Sequence, residues 1–226
     1  MHIGLIGGIG PAATQFYYRR IVAASKAAGV PVRMTITHAD NEPLVRNFIA
    51  DRRDVQAKVF AAHIRDLAAA GAEVAAVTAL AGHYCINETA ALAPIPVVDA
   101  LEVIRADLAE RGVKRIGVLG SGRVMDTGLY GALDGIEQIA PPADQLGEVG
   151  EVYLAMAQRG SCSPTDRALF FKAGAEMMDK GAETVFLAGT DLFMAFEDHD
   201  PGYPVIDGGE VHIAELARMA MQEVAP

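Results

Sequence analysis

The feature that most constrains the fold of this chain is the alternation of short apolar runs with longer amphipathic stretches. The stretches 54–70, 101–111 and 167–180 have the pattern of helices. The runs between them are short and mostly apolar, which is typical of strands buried on both faces of a parallel sheet. The sequence therefore predicts an α/β protein. The predicted strands are residues 3–6, 32–37, 74–77, 97–98, 116–119, 184–187 and 205–206.

Two pairs of segments suggest an internal repeat. Residues 3–8 (IGLIGG) resemble residues 116–121 (IGVLGS), and residues 71–78 (GAEVAAVT) resemble residues 181–188 (GAETVFLA). Each half then has a first strand that ends in a glycine turn and a later strand that follows a glycine at a helix end. Ligands of open α/β folds bind at such strand ends. Repetition of ordinary βα units is the alternative explanation.

Composition limits the classes of protein to which the chain can belong. Of its 226 residues 51% are hydrophobic, enough for a substantial core. The net charge of −10 argues against a nucleic-acid or acidic membrane surface as partner. The N-terminus enters a strand without a charged leader, and no apolar stretch reaches the roughly 18 residues of a membrane span. We therefore expect a cytoplasmic protein without a signal peptide.

The first strand runs into a glycine turn and then a helix. Residues 4–14 read GLIGGIGPAAT, in which Gly8 and Gly10 permit a tight turn and Pro11 suits the first helical position. The free N–H groups of such a helix end can hold a carboxylate or phosphate. The spacing is not that of a dinucleotide-binding motif. The turn therefore predicts a small-anion site.

Residues 4–14, followed by Tyr17 and Tyr18, closely resemble the N-terminus of the aspartate/glutamate racemase superfamily, nearest to its aspartate racemase and broad-specificity amino-acid racemase branch. Later segments follow the family's order along the whole chain. The resemblance implies two pseudo-symmetric α/β lobes, Rossmann-like or flavodoxin-like, with parallel sheets and an active site in the cleft between them. The lobes would be residues 1–98 plus 208–226 and residues 99–207. It also implies a cofactor-independent amino-acid racemase and, as oligomer, a homodimer.

Racemases of this family remove the Cα proton with one acid/base group and return it from the far side with another, and both groups are usually cysteines. The family's first motif reads Cys-Asn-Thr-x-His. The matching residues 79–83 here read ALAGH. Ala79 stands at the first thiol position, Leu80 replaces the amide that would contact substrate, and only His83 matches.

The second family motif, Gly-Cys-Thr-Glu, corresponds to residues 188–191, which read AGTD. Gly189 occupies the second thiol position, while Thr190 and Asp191 keep the family's hydroxyl and acid. Both catalytic thiols are therefore replaced, which argues against the usual two-cysteine racemisation.

Three other side chains are candidates for the proton transfers. His83 could act as a base or carboxylate anchor, or it could hold the turn by a hydrogen bond. Asp191 could be a general base if buried, or it could support the turn. Thr190 can orient a substrate but is a poor base without an activator.

The two cysteines of the chain are not expected to replace the missing thiols. Cys85 should be a small buried residue that points away from the cleft. Cys162 lies in a predicted loop before Ser163 and Pro164, which read as a helix start. Their number fits a reducing compartment, and they form no metal-ligand spacing, so no metal is expected.

Substrate-binding candidates follow several predicted strands. Arg46 could clamp a carboxylate in bidentate fashion or be an ordinary solvated arginine. Residues 127–130 (TGLY) resemble a family Ser/Thr-Gly-x-Tyr segment. Residues 204–207 (PVID) with His212 resemble its Pro-Val-x-Asp…His run, where Asp207 and His212 would support the first lobe. The predicted substrate-binding set is Gly8, Gly10, Asn41, Arg46, Thr78, Ser121 and Arg123.

Three functions remain open on this reading. The first is the nominal one, an amino-acid racemase (an isomerase). The second is a divergent enzyme that uses His83 or Asp191 for one-sided isomerisation, hydrolysis or decarboxylation of a small carboxylate. The third is a catalytically inactive module that binds a small carboxylate or amino acid.

Overall fold

The computed structural model describes residues 1–222, so the last four residues of the predicted N-terminal lobe lie outside the described residues. Its first sheet has three parallel strands in the order β2-β1-β3. β1 is His2–Gly7, β2 is Arg33–His38 and β3 is Val74–Val77. The buried strands β1 and β3 confirm the two-sided burial that their apolar runs predict.

The second sheet has four parallel strands in the order β5-β4-β6-β7. These are β4 (Arg115–Leu119), β5 (Glu137–Ile139), β6 (Thr184–Leu187) and β7 (Val205–Asp207). The sequence does not predict β5, because its residues EQI are mostly exposed at the sheet edge and form no apolar run.

Helices connect the strands. Two short 3₁₀ helices, Leu80–Cys85 and Thr190–Leu192, follow β3 and β6. The α-helices are α1 (Pro11–Ala28), α2 (Asn41–Ile49), α3 (Arg53–Ala69), α4 (Ile86–Leu92), α5 (Ala100–Arg111), α6 (Gly122–Asp126), α7 (Leu146–Arg159), α8 (Pro164–Asp179), α9 (Phe193–Phe196) and α10 (Gly208–Ala220).

The chain forms two compact units. The first contains Met1–Ala100 and the described residues from His212 onward, and the second contains Leu101–Val211. The chain thus passes from the second unit back to the first within α10. Each unit has its own buried core, which includes Phe16 and Phe60 in the first and Phe170 and Phe186 in the second.

The same connection precedes β3 and β6. Gly71 and Gly181 have φ of +88° and +93°. The Gly71 amide donates to Ala68 O (2.9 Å) and the next amide to Leu67 O (3.0 Å), which is a Schellman motif. Gly181 and its successor repeat this pattern with Met178 O (2.8 Å) and Met177 O (3.1 Å). The second pair of similar segments therefore shares one backbone hydrogen-bond pattern, as either an internal repeat or ordinary βα units would.

The predicted strand at residues 97–98 is only a single parallel bridge, between Ala75 and Val97. Ala75 N donates to Pro96 O, and Val98 N donates to Ala75 O. Proline has no N–H to donate, which limits the pairing to this short stretch.

Candidate functional site

The glycine turn after β1 is held by one threonine. Gly8 has φ +93°, and its amide donates to Thr14 Oγ1 (3.0 Å). Gly10 is the N-cap of α1, and its carbonyl oxygen accepts from both N and Oγ1 of Thr14 (2.9 and 3.0 Å). The Gly8 amide, a predicted substrate contact, thus has an internal acceptor.

The end of β3 is tied to this turn. Thr78 Oγ1 donates to Ile6 O (3.1 Å) and lies 3.1 Å from Thr14 Oγ1. Thr78 is fully buried, and this bonding supports the turn. Ala79, at the first thiol position, has an extended backbone and is 5% exposed, and Leu80 is completely buried. The structure thus brings Gly8, Gly10, Thr78 and Ala79 together at the carboxyl edge of the first sheet.

His83 lies behind this edge in a buried cluster. Its Nδ1 is 3.1 Å from Ala79 O, and since a carbonyl only accepts, Nδ1 carries the proton. The His83 and His212 rings are 5.6 Å apart and perpendicular, and His212 Nδ1 is 3.0 Å from the Tyr17 hydroxyl. No described residue bonds Nε2 of either histidine. Burial lowers the pKa of both rings, so they stay neutral, although Asp99 opposes this at His83.

The candidates on α2 lie near solvent. Asp40 caps this helix by accepting from Glu42 N (3.2 Å), and Asn41 is its first residue. Arg46 forms an ion pair with Glu42 (3.2 Å) in which both side chains are mostly exposed. This exposed ion pair is what the solvated arginine of the two alternatives would make, and a role in binding carboxylate stays a prediction. The ion pair of Arg46 with Glu42 does not by itself support a bidentate clamp on a ligand carboxylate.

One residue at this edge is missing from the sequence prediction. His38, exposed at the end of β2, lies so close to the glycine turn that a Cβ on Gly8 would be 2.6 Å from its Nδ1. The predicted strand stops at Thr37, one residue short. A histidine at the carboxyl end of a parallel strand is the signal that could have identified it.

In the second unit, α6 begins directly after the second glycine turn. Ser121 is its N-cap and is 4% exposed, but its side chain makes no capping bond, and no described residue bonds its Oγ. Arg123 lies in the first turn of α6 and is half-buried. Both predicted carboxylate ligands therefore lie near the carboxyl end of β4.

At position 189, the second thiol position, the side chain of another residue fills the space beside the glycine. Gly189 follows β6 with an extended backbone (φ −141°, ψ 125°) that any residue can adopt. A Cβ there would nevertheless lie 2.5 Å from both Cζ and Oη of Tyr153, on α7. The Tyr153 ring thus fills the space that a side chain at position 189 would need, and this is why the position requires glycine.

Tyr153 is surrounded by acidic groups. Its side chain is almost completely buried, and this burial raises its pKa well above the ordinary value for tyrosine. The negative charges of Asp191 and Asp207 act in the same direction, as does Tyr130, while a hydrogen bond with the Asp191 backbone opposes them. The phenol is therefore neutral at physiological pH. The sequence alone does not identify Tyr153 as a site residue, because only the fold brings α7 to the end of β6.

The remaining predicted residues of the second motif are buried beside Tyr153. Thr190 and Asp191 are 2% and 5% exposed and form the start of a 3₁₀ helix. Asp207 Oδ1 accepts from Gly209 N (2.7 Å) and Glu210 N (3.3 Å), and so caps α10. Asp207 belongs to the second unit, and its expected support of the first lobe stays a prediction.

Neither cysteine resembles a catalytic thiol. Cys85 is completely buried, and desolvation raises its pKa to about 11. Burial also raises the pKa of Cys162, which directly precedes the capping box of Ser163 and Asp166 at the start of α8. The predictions of a buried Cys85 and of a helix start at Ser163 are confirmed.

The described residues contain neither a cluster of metal ligands nor a membrane-spanning helix. Within residues 1–222, no three His, Cys, Asp or Glu side chains gather as ligands of a metal ion would. Over the same residues, no helix has the length and apolar character that crossing a membrane requires.

The model of the Asp/Glu/Hydantoin racemase family matches residues 6–216. The chain belongs to this family. Its two-sheet α/β fold is shared with a solved protein of Yersinia pestis described as a candidate Asp/Glu racemase, at 23% identity and a TM-score of 0.84 over 98% of this chain and 100% of that one. An aspartate racemase homologue from Pyrococcus horikoshii OT3 is similar at 21% identity and a TM-score of 0.77, over 98% and 99% of the two chains.

A glutamate racemase from Francisella tularensis, solved in complex with D-glutamate, matches at 14% identity and a TM-score of 0.64 over 100% of this chain and 84% of that one. At these identities the structural likeness shows the fold. The aspartate/glutamate racemase membership inferred from sequence is confirmed by the family match.

Proposed function

We propose that this member of the racemase family binds a small amino acid or carboxylate at the carboxyl ends of its parallel strands and does not racemise it through two thiols. One observation carries the proposal. The second thiol position is a glycine whose side-chain space is filled by Tyr153. A thiolate cannot be accommodated there unless Tyr153 moves.

The remaining contacts support the same proposal. Ala79 has no ionisable group, and both cysteines are held protonated by raised pKa values. The family match and the relative solved with D-glutamate support an amino acid or similar carboxylate as ligand. A cytoplasmic location, a homodimer and a ligand site shared between the two halves stay predictions.

A second candidate function is one-sided acid/base chemistry on a small carboxylate. It is favoured by Asp191, a buried carboxyl group two residues after Gly189. His83 is the weaker base candidate, because its ring is buried against His212. Isomerisation, hydrolysis and decarboxylation each need only one such group together with a proton donor.

Proton NMR in D₂O tests these proposals. Aspartate and glutamate of both hands, malate, malonate and maleate would each be incubated with the protein, and thermal stabilisation would be measured in parallel. We expect stabilisation by at least one of them without exchange of its Cα proton. Rapid exchange with inversion would contradict the proposal and support a racemase. A new product without inversion would support one-sided chemistry, and Asp191→Asn would then identify the base.

A further inference from the structure

Tyr153 belongs to α7, but its side chain lies against Gly189, the second thiol position. Its Cζ and Oη both lie 2.5 Å from where a Cβ on Gly189 would be, and Gly189 is separated from the end of β6 by one residue. Ala79 has nearly the same backbone angles, at φ −145° and ψ 118°, at the matching point after β3. Positions 79 and 189 therefore have nearly the same backbone conformation, and the Tyr153 phenol lies against position 189.

The chemistry of this phenol differs from that of a thiolate. Its buried and acidic surroundings keep it protonated, so it cannot remove a proton from carbon. The hydrogen bond with the Asp191 backbone lowers its pKa, which is the effect of a donor on the oxygen. Since an amide N–H only donates, the phenol oxygen accepts this bond, which does not use the hydroxyl proton.

We propose that the Tyr153 hydroxyl takes the place of the second thiol as the ligand-contacting group at the end of β6, where it donates a hydrogen bond to a carboxylate oxygen of the ligand. This rests on the proposed function. The step transfers no proton, so the ligand's Cα–H bond stays intact on this side. A protonated phenol can donate this bond, whereas a thiolate could only accept one.

The test compares Tyr153→Phe with the intact protein. The matched control is Tyr203→Phe, which also removes one hydroxyl from the second unit, where it donates to Phe171 O at 3.1 Å. Dissociation constants would be measured by calorimetry for the two hands of aspartate and glutamate and for malonate. A hydrogen bond to a charged group contributes about 1.5–3 kcal/mol. We therefore expect Tyr153→Phe to weaken binding by about tenfold or more, and Tyr203→Phe to leave it unchanged.

A second measurement needs no variant. The chain has six tyrosines and no tryptophan, and its phenylalanines absorb only at shorter wavelengths, so the long-wavelength part of its near-ultraviolet spectrum reports tyrosine. Saturating ligand should shift this spectrum, and Tyr153→Phe should remove the shift. If Tyr153→Phe does not fold, the spectrum of the intact protein decides: binding without any tyrosine shift overturns the inference.

The outcomes separate the inference from the function on which it rests. Binding that is equal in the intact protein and Tyr153→Phe overturns the role of Tyr153 and leaves the proposed function in place. No binding of any tested carboxylate to the intact protein overturns both.

Discussion

At the scale of single residues, Gly189 and Tyr153 are in close contact, so the size of the side chain at one position limits the size that fits at the other. The backbone at 189 is extended, so it imposes no need for glycine, but a Cβ there would lie 2.5 Å from two atoms of Tyr153. Glycine at this position is thus a consequence of packing. A thiol at position 189 and the Tyr153 phenol in its present place would occupy the same space.

We expect Gly189→Ala to lower the free energy of unfolding by about 1–3 kcal/mol, because the added methyl group forces Tyr153 to shift. The same change in a Tyr153→Ala background should cost much less, since the space is then empty. Urea unfolding would measure both. Gly147→Ala is the control, because Gly147 is an exposed helical glycine with open space around it. Equal losses in the two backgrounds would contradict the steric explanation.

His83 and His212 should make stability depend on pH. Burial lowers both folded-state pKa values, so the folded rings stay neutral below pH 6.5 while the unfolded chain takes up protons. The unfolded state then binds more protons, and stability falls as the pH is lowered. The expected slope is about 1 kcal/mol per pH unit for each neutral ring. Stability should be lost as the pH falls below about 6.5, and the slope should be absent above about pH 7.5.

Urea unfolding between pH 8 and 5 would measure this slope. Half-buried His63, whose pKa is also lowered, contributes to it. His212→Gln should therefore reduce the slope without abolishing it. A His212→Gln slope equal to that of the intact protein would show that His212 is not held neutral.

At the scale of elements, helix ends place the site residues. The glycines before β3 and β6 end the preceding helices with the same Schellman pattern. After each of these strands an extended residue, Ala79 or Gly189, lies at the sheet edge. Helix starts are equally well defined. Ser163 Oγ accepts from Asp166 N (3.1 Å), and Asp166 Oδ2 accepts from Ser163 N (2.9 Å) at the start of α8.

Removal of this capping box should be measurable. We expect Ser163→Ala to cost about 1 kcal/mol of unfolding free energy, because the Asp166 amide loses its acceptor. Ser161→Ala, at an exposed position two residues earlier, is the control and should change little. Thermal or urea unfolding distinguishes the two. Equal stability of both variants would mean that the cap contributes nothing.

At the scale of the whole molecule, the first unit is assembled from two distant parts of the chain. The residues from His212 onward belong to the unit that begins at Met1. Tyr17 and His212, 195 residues apart in sequence, share a buried hydrogen bond of 3.0 Å. The first unit is therefore complete only when α10 has joined it.

We expect Leu216→Ala to destabilise the first unit by about 2–5 kcal/mol, because Leu216 is completely buried in α10. Hydrogen exchange followed by mass spectrometry should show faster exchange in β1 and β3. Arg218→Ala is the control on the same helix, where an exposed ion pair with Glu215 contributes little. Unchanged exchange in β1 and β3 would show that α10 does not stabilise this unit.

The sequence by itself determined the α/β class, the repeated strand–turn–helix units, the family and the absence of both motif thiols. These follow from local patterns, since apolar runs, helix-end glycines and motif spacing need no distant partner. It predicted β3 and β6 to the residue but missed β5, which has no apolar run.

Only the tertiary structure decided what surrounds those positions. Tyr153 is 36 residues from Gly189 in the sequence, and nothing in its local pattern sets it apart from a core tyrosine. The buried contact of His83 with His212 likewise joins segments far apart in the chain. Packing is a property of side chains that meet in space, so it determines which side chain lies against position 189, and local sequence patterns carry no record of it.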